Sequence, residues 1–307
     1  MHLIYNAPTF PCIMKLSILS KSLFSTLILA FLFSCNGSND QDLDSGQFPE
    51  LSGPFLGQAL PDSIPELFAP GVVSTGMFTR DVAMTPDGKE IYFCVAIGNY
   101  TFSTILYTRE VNGRWQPPQI VPFSGGPGVL DFEPALSADG KRLYFLSTRP
   151  DGDEPVGDQD IWMVERDNQG EWGLPQNLGE PVNTDGGEFF PSLTSDGTLY
   201  FTRNARGSGL NQIFRSRLVE GIYQEPELLP EQVNCGTNRF NAFVAPDESY
   251  MIVSCWSHPG NIGGDNGDLY IIFKMDDGSW SEAINMGNGI NTKDGENCPT
   301  VSPDGKY

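Results

Sequence analysis

Basic residues and histidine are scarce in this chain of 307 residues. It contains 18 lysines and arginines against 39 aspartates and glutamates, so its formal net charge at pH 7 is −21. A surface this acidic repels phosphate backbones, which excludes nucleic acid as a partner and favours cationic or neutral polar ligands. With two histidines and no Cys-x-x-Cys pair, the sequence also excludes a Cys/His zinc site, and we assign no metal site. The G-x-S-x-G sequence of serine hydrolases is absent.

Apolar runs long enough to span a membrane are absent too. The run from Leu23 to Phe33 has eleven residues, whereas a membrane-spanning helix needs roughly 20. It follows two lysines and precedes Cys35, the order of a secretory signal peptide. The stretch Leu-Phe-Ser-Cys resembles a bacterial lipobox, whose cysteine becomes the lipid-bearing first residue of the mature protein. We therefore predict a lipoprotein signal at residues 1–35, with Met14 as the better start and Cys35 as the lipidation site.

The remainder is predicted to have two parts. Residues 36–60 begin with the polar stretch NGSNDQDLDSGQ, which is typical of a flexible tether. Residues 61–307 are expected to form the folded domain. No polybasic stretch accompanies Cys35, so the lipid should be the only membrane anchor. Asn36 gives no inner-membrane retention signal, which favours the outer membrane, facing the periplasm or the cell surface.

A turn-like marker recurs five times in the second part. Each marker is an Asp followed by Gly, or by Glu in the fourth copy, between two apolar segments. The five positions are Asp87, Asp139, Asp196, Asp247 and Asp304, with spacings of 52, 57, 51 and 57 residues. Because Asp before Gly is a common hairpin residue, we interpret the markers as turns and not as metal ligands.

An aromatic residue precedes each marker from the second onward by a constant 24 residues. These residues are Trp115, Trp172, Tyr223 and Trp280. A constant spacing indicates a rigid, packed connection, so we expect the aromatics in the core and the length differences in loops. The added residues fall at 151–159 and 258–266, in the second and fourth repeats.

Each repeat contains four short strand-like segments; in the second they include PALS, RLYFLS and DIWMVER. Four antiparallel strands in roughly 50 residues make one blade of a β-propeller, so the predicted fold class is all-β. The pattern P-x-L-S-x-D-G-x-x-L-Y-F, followed by D-I-W or D-L-Y and then G-x-W, resembles the TolB-like β-propeller repeat of bacterial envelope proteins over residues 64–307. The resemblance implies an envelope location and leaves the activity open.

Five repeats are visible, and the fifth is truncated at Tyr307. Residues 64–73 resemble 226–234, which would be the last strand of a blade, so we predict that an N-terminal strand completes the last blade. This gives a five-bladed ring whose natural chain continues roughly 20 to 30 residues further. The TolB-like resemblance would favour six blades.

The first strand of each blade should line the central channel. Six residues before each marker stand Asp81, Glu133, Phe190, Asn241 and Cys298, and eight before stand Thr79, Asp131, Glu188, Arg239 and Glu296. From these positions we predict a ligand site at the channel mouth made of Asp81, Glu133, Glu188, Arg239, Asn241 and Glu296. The alternative is that they are solvated rim residues. The loops at 151–159 and 258–266 should flank the same mouth.

The predicted function is a lipid-anchored, monomeric envelope propeller that binds a protein or a glycan through its channel mouth. The alternative is a glycoside hydrolase that uses two channel carboxylates, for which the separation of Asp81, Glu133 and Glu188 is the discriminator. No cofactor is expected, although Ca²⁺ is an alternative at the aspartates Asp151, Asp153, Asp158 and Asp160, with Asp265 and Asp268. Cys94 and Cys255 end apolar runs as buried thiols would, Cys235 and Cys298 lie in loops, and the spacing does not fix a disulfide.

Overall fold

A computed structural model of the protein describes residues 48–61, 64–152 and 157–307. The predicted signal peptide, Cys35 and residues 36–47 of the predicted tether lie outside this part. Within it the chain forms 19 β-strands and one short 3-10 turn, Pro54–Gly57. No helix in the described ranges is both long and apolar enough to cross a membrane.

Four antiparallel sheets form four blades, and in each the first strand lies at the channel. The strands are β1 (Phe78–Met84), β2 (Glu90–Ile97), β3 (Phe102–Val111), β4 (Arg114–Trp115) and β5 (Gln119–Ile120) in blade 1; β6 (Asp131–Leu136), β7 (Arg142–Ser147), β8 (Asp160–Glu165) and β9 (Gln176–Asn177) in blade 2; β10 (Gly187–Leu193), β11 (Leu199–Asn204), β12 (Asn211–Ser216), β13 (Leu218–Val219), β14 (Ile222–Tyr223) and β15 (Glu227–Leu228) in blade 3; and β16 (Asn238–Val244), β17 (Tyr250–Trp256), β18 (Gly267–Phe273) and β19 (Ile284–Asn285) in blade 4. The all-β propeller predicted from the repeat is confirmed.

The core lies between the blades. Second strands such as β2 are apolar on both faces because a neighbouring blade or the next connection covers each face. One apolar cluster joins Tyr92 of blade 1 to Phe145 of blade 2, and another joins Tyr200 of blade 3 to Met251 of blade 4. First strands β1, β6, β10 and β16 contact one another in that order, which curves the sheets around an axis.

Residues 296–301 hold a fifth place in this ring without forming a strand among the described residues. Cys298 links the two ends of the series, since its Sγ lies 3.0 Å from Asn241 Nδ2 of blade 4 and 2.9 Å from Arg80 Nη2 of blade 1. The inner segments therefore form a ring of five. Tyr307, the last residue given, donates a hydrogen bond of 2.7 Å to the carbonyl oxygen of Gln58, so it contacts the segment that precedes blade 1.

The segment predicted as the closing strand, residues 64–73, packs against blade 1 but is not a regular strand. Its residues Val72 and Val73 are buried in one cluster with blade 1 side chains. It forms only an isolated bridge between Pro70 and Ser74, and Leu67 is exposed.

Part of the segment predicted as a tether, residues 36–60, packs on the propeller. From residue 48 onward the chain packs on blade 1, where Phe55 and Leu56 are buried. Trp115 fixes this segment: its backbone N–H donates to the Leu51 carbonyl oxygen at 2.9 Å, and its indole Nε1 donates to the Gly53 carbonyl oxygen at 2.7 Å. The polar composition of residues 36–47 led to the prediction of a tether that extends to residue 60. That range includes Phe55 and Leu56, which are buried against blade 1.

The marker aspartates are turn residues, as predicted. In the second copy, Asp139 Oδ1 accepts hydrogen bonds from Ser137 Oγ at 2.7 Å and from the Lys141 backbone N–H at 3.0 Å. The hydroxyl hydrogen bond from Ser137 is the main reason that the pKa of Asp139 lies below its ordinary value. The local sequence S-x-D-G thus encodes the hairpin by itself.

Candidate ligand site in the central channel

A bulge in the first strand of every blade aims one side chain at the channel. The strand register shifts at the same place in β1, β6, β10 and β16. At this place the backbone is left-handed in all five repeats, at Asp81 (φ 57°), Glu133 (φ 58°), Phe190 (φ 52°), Asn241 (φ 55°) and Cys298 (φ 53°). Residues other than glycine and asparagine rarely adopt this conformation, and such strain gathers at functional sites. We call these five residues the bulge ring.

Arg80 crosses the base of the bulge ring. Its Nε donates to Asp81 Oδ2 at 2.6 Å, and its Nη2 donates to Glu133 Oε1 at 2.9 Å. Nη2 also lies 2.9 Å from Cys298 Sγ, and Nη1 donates to the Tyr100 hydroxyl at 3.2 Å. One guanidinium therefore ties together two blades and the fifth inner segment.

Arg80 is not among the site residues predicted from the sequence. Phenylalanine stands at the equivalent place in the next three repeats, as Phe132, Phe189 and Phe240. The sequence signal for Arg80 is that a cation stands at a repeat position where three other repeats have an aromatic residue.

Burial perturbs the titration of this group. Desolvation raises the pKa of Glu133 to about 7, against the opposing effect of Arg80 and with a further rise from the neighbouring Asp81. Burial by itself would lower the pKa of Arg80, but the charges of Asp81 and Glu133 outweigh it and raise that pKa. Burial, followed by Asp81, also raises the pKa of the Cys298 thiol. The guanidinium is thus a fixed positive charge between two acidic groups, one of which titrates near neutrality.

A cavity of about 600 Å³ lies beside the bulge ring, within the range of small-ligand pockets. Asp81, Glu133, Phe190 and Cys298 line its base. Its wall is mainly apolar and comes from the second half of each inner segment, including Met84, Leu136, Leu193, Phe243 and Val301. The strand 1 to strand 2 turns form the rim, since Pro86, Ala138, Pro246 and Pro303 also line the cavity. The cavity therefore opens at the end of the propeller that carries the marker turns.

The predicted site residues divide into two groups. Asp81 and Glu133 meet at the cavity base, and Asn241 contacts the base through Cys298. Glu188, Arg239 and Glu296 do not line the cavity. These three residues therefore stand apart from the cavity at Asp81 and Glu133.

Each of these three side chains has local partners. Glu188 is fully buried and accepts from Arg203 Nε at 2.8 Å and from Thr184 Oγ1 at 2.7 Å. Arg239 donates to the Asn234 carbonyl oxygen at 2.9 Å, and Glu296 Oε1 accepts from the Thr292 hydroxyl at 2.6 Å. Glu188 is thus buried and paired, whereas Arg239 Nε and Glu296 Oε2 are buried without a hydrogen-bond partner.

The described residues of the long loops also lie apart from the cavity, since none of them lines it. They follow the second strands, whose last residues pair with the first residues of the inner strands, as Asp131 does with Ser147. In blade 2 the carbonyl oxygen of Gln159 accepts a hydrogen bond from the Glu188 backbone N–H at 2.6 Å. The described end of the blade 2 loop therefore lies beside Glu188, whereas the cavity at Asp81 and Glu133 opens at the end of the propeller that carries the marker turns.

The cysteines and the calcium alternative are resolved in part. Cys235 and Cys255 form a disulfide, so Cys255 is not the free buried thiol that its apolar run suggested. Cys94 is a fully buried free thiol, and Cys298 is a free thiol at the cavity. Asp153 lies outside the described residues, and among those described no group of three or more His, Cys, Asp or Glu side chains is placed to hold a metal ion.

Comparison with solved structures identifies the fold. TolB from Acinetobacter baumannii is 20% identical over 76% of this chain and 48% of its own, with a TM-score of 0.50. The chain has the fold of a TolB-like β-propeller. A TolB candidate from Agrobacterium tumefaciens is 16% identical over 75% of this chain and 68% of its own, with a TM-score of 0.48. The periplasmic gluconolactonase of Pseudomonas aeruginosa is 14% identical over 68% and 57% of the two chains, with a TM-score of 0.41.

The match spans about half the length of the A. baumannii TolB. No protein-family model and no curated protein matches the sequence. The similarity therefore extends to the fold of the TolB-like propeller, and the chemistry of the channel has to be derived from this chain's own residues.

Proposed function

We propose that this protein is a lipid-anchored envelope protein whose TolB-like propeller binds a partner, a protein segment or a glycan, in its central channel. The observation that carries the proposal is the cavity of about 600 Å³ with apolar walls and a charged base. Pockets with mainly apolar walls and a few convergent polar groups are the usual form of ligand sites. The strained backbone of all five bulge ring residues supports the same position.

Two features support the envelope location. The sequence carries a signal peptide pattern that ends at Cys35. The disulfide between Cys235 and Cys255 suits an oxidising compartment outside the cytosol. Replacing Cys35 with Ala and fractionating cells tests the lipid anchor: we expect the variant to leave the membrane fraction, and unchanged membrane association would overturn the anchor.

Binding is favoured over glycoside hydrolysis because Arg80 engages both carboxylates at the cavity base. A hydrolase needs one carboxyl group as acid and the other as nucleophile or base, both facing the substrate. Glu133 is occupied on both oxygens, by Arg80 Nη2 and by the backbone N–H of Phe190 at 2.7 Å. Glu188 is paired with Arg203 outside the cavity. A free, opposed pair is not formed by these three acids.

Site-specific photo-crosslinking in cells tests the channel as the binding place. A photoreactive amino acid at Leu193, in the cavity wall, should give a discrete adduct. The same amino acid at Ile284, exposed on the outer strand of blade 4, is the matched control and should not give that adduct. Alkylation of Cys298 with a bulky maleimide should block the Leu193 adduct. Equal adducts at both positions, or an adduct that survives alkylation, would place the partner elsewhere and overturn the channel as the binding site.

A further inference from the structure

We propose that the base of the channel is a site for a primary ammonium group on an apolar stem, such as the lysine side chain of an inserted polypeptide segment, with Asp81 as its anionic partner. The proposal rests on the proposed function, because it names the ligand chemistry for the channel. It is carried by a count of hydrogen-bond donors and acceptors at the cavity base and by the character of the cavity wall.

The cavity base contains a carboxylate oxygen without a hydrogen-bond donor. Every nitrogen of the Arg80 guanidinium already donates, to Asp81, Glu133, Tyr100 or Cys298 Sγ. Oδ1 of Asp81 has no hydrogen-bond partner although this side chain is only 1% exposed. Asn241, whose Oδ1 is also buried and unpartnered, does not line the cavity. Buried polar atoms are normally paired, so Oδ1 of Asp81 calls for a ligand that donates.

The charge balance points the same way. Arg80 supplies one positive charge against the carboxylates of Asp81 and Glu133, so ionisation of both leaves an excess negative charge. Cavity walls of low dielectric strengthen the field of such a charge. An anionic ligand would be repelled by the excess negative charge, and four of the five N–H groups of Arg80 already donate within the site. A cation that also donates hydrogen bonds fits both conditions.

The cavity wall favours an organic cation over a metal ion. Met84, Leu136, Leu193 and Phe243 offer apolar contact between the rim and the base. The described residues contain no group of three acidic, His or Cys side chains placed to ligate a metal. An ammonium group has three N–H donors for the acceptors at the base, and an aliphatic stem would cover the wall.

The test compares three probes with the same stem: hexylamine, 1-hexanol and hexanoate. Binding is measured by calorimetry and by protection of Cys298 from alkylation. We expect hexylamine to bind about tenfold more tightly than 1-hexanol, since a charge-assisted hydrogen bond replaces a neutral one, and hexanoate to bind most weakly. Asp81→Asn should remove the preference for the amine, whereas Asp277→Asn, in an exposed turn of blade 4, should keep it.

The outcomes separate this proposal from the proposed function. Equal binding of the three probes would overturn the ammonium site and leave channel binding intact. Tighter binding of hexanoate would also overturn it, in favour of an anion site at Arg80. If Asp81→Asn does not fold, the comparison of the probes on the natural protein decides. A short peptide with Lys between two Leu residues, compared with its norleucine analogue, tests the source: preference for the Lys peptide supports a polypeptide, and no preference overturns that part.

Discussion

Replacing Arg80 with Met should destabilise the protein strongly, and by an amount that depends on pH. Methionine keeps the length of the stem and removes the charge. Asp81 and Glu133, which are 1% and 6% exposed at their side chains, then lose their shared cation. Breaking a buried ion pair by removing one partner costs about 3–5 kcal/mol, mainly because the remaining charge is left unpaired. We expect a loss of this size in the free energy of unfolding at pH 8.

The loss should shrink to about half at pH 5, because a protonated Glu133 no longer needs the cation. Burial raises the pKa of Glu133 in the folded protein to about 7, above its ordinary value of 4.5. A group with a raised folded-state pKa favours folding at low pH, and this contribution is lost as the pH rises through the folded-state pKa. Removing Arg80 raises the pKa of Glu133 further, so the variant should lose more stability between pH 5 and pH 8 than the natural protein.

Groups from four segments of the chain face Glu133. Arg80 and Asp81 come from β1, the Phe190 N–H from β10, Cys298 from the fifth inner segment, and the Sγ of Cys94 from β2, which accepts the Glu133 backbone N–H at 3.2 Å. The charged neighbours are thus Arg80 and Asp81. Of the two, only Arg80 favours the ionised form of Glu133.

Urea denaturation of the natural protein and of the variant at pH 5 and pH 8 measures the effect. The control is Arg114→Met, which removes an exposed ion pair with Glu50 whose side chains are 69% and 78% exposed. That change should cost no more than about 0.5 kcal/mol at either pH. An equal loss for Arg80→Met at both pH values, or a loss as small as that of Arg114→Met, would refute the assignment of Arg80 as the shared partner of two buried carboxylates.

Three further predictions follow from the packing. Native protein treated with a small maleimide should be labelled at Cys298, which lines the cavity, and not at Cys94, which is fully buried. Mass spectrometry of a digest measures the labelling of each cysteine, and early labelling of Cys94 would contradict its burial. Replacing both Cys235 and Cys255 with Ser should lower the free energy of unfolding by about 3 kcal/mol, as judged by urea denaturation, because the disulfide closes a loop of 20 residues. Phe55→Ala should cost about 3 kcal/mol, since its ring is buried with its centroid 5.2 Å from that of Tyr307; no loss would mean that residues 48–57 do not belong to the folded domain.

Part of the candidate site was within reach of the sequence. Repeat counting placed Asp81, Glu133 and Asn241 at one equivalent position, and the structure places all three in the bulge ring. It also placed Glu188 near them, because a regular strand would point residues two apart to the same face. The bulge between Phe189 and Ser192 breaks that regularity, and Glu188 turns to Arg203 instead.

The sequence by itself determined the blades. Three local properties predict one blade: the alternation of strand residues, the turn at each marker aspartate, and the 24 residues from each aromatic residue to the next marker. Their repetition along the chain predicts a propeller. Only the tertiary structure decided the site. Arg80 meets Glu133 across 53 residues and Cys298 across 218, and no local pattern specifies which distant segments a ring brings together. The left-handed bulges are also decided by the tertiary structure. Residues such as Glu133 and Phe190 have no intrinsic preference for that conformation, and they adopt it only where the packing of neighbouring blades imposes it.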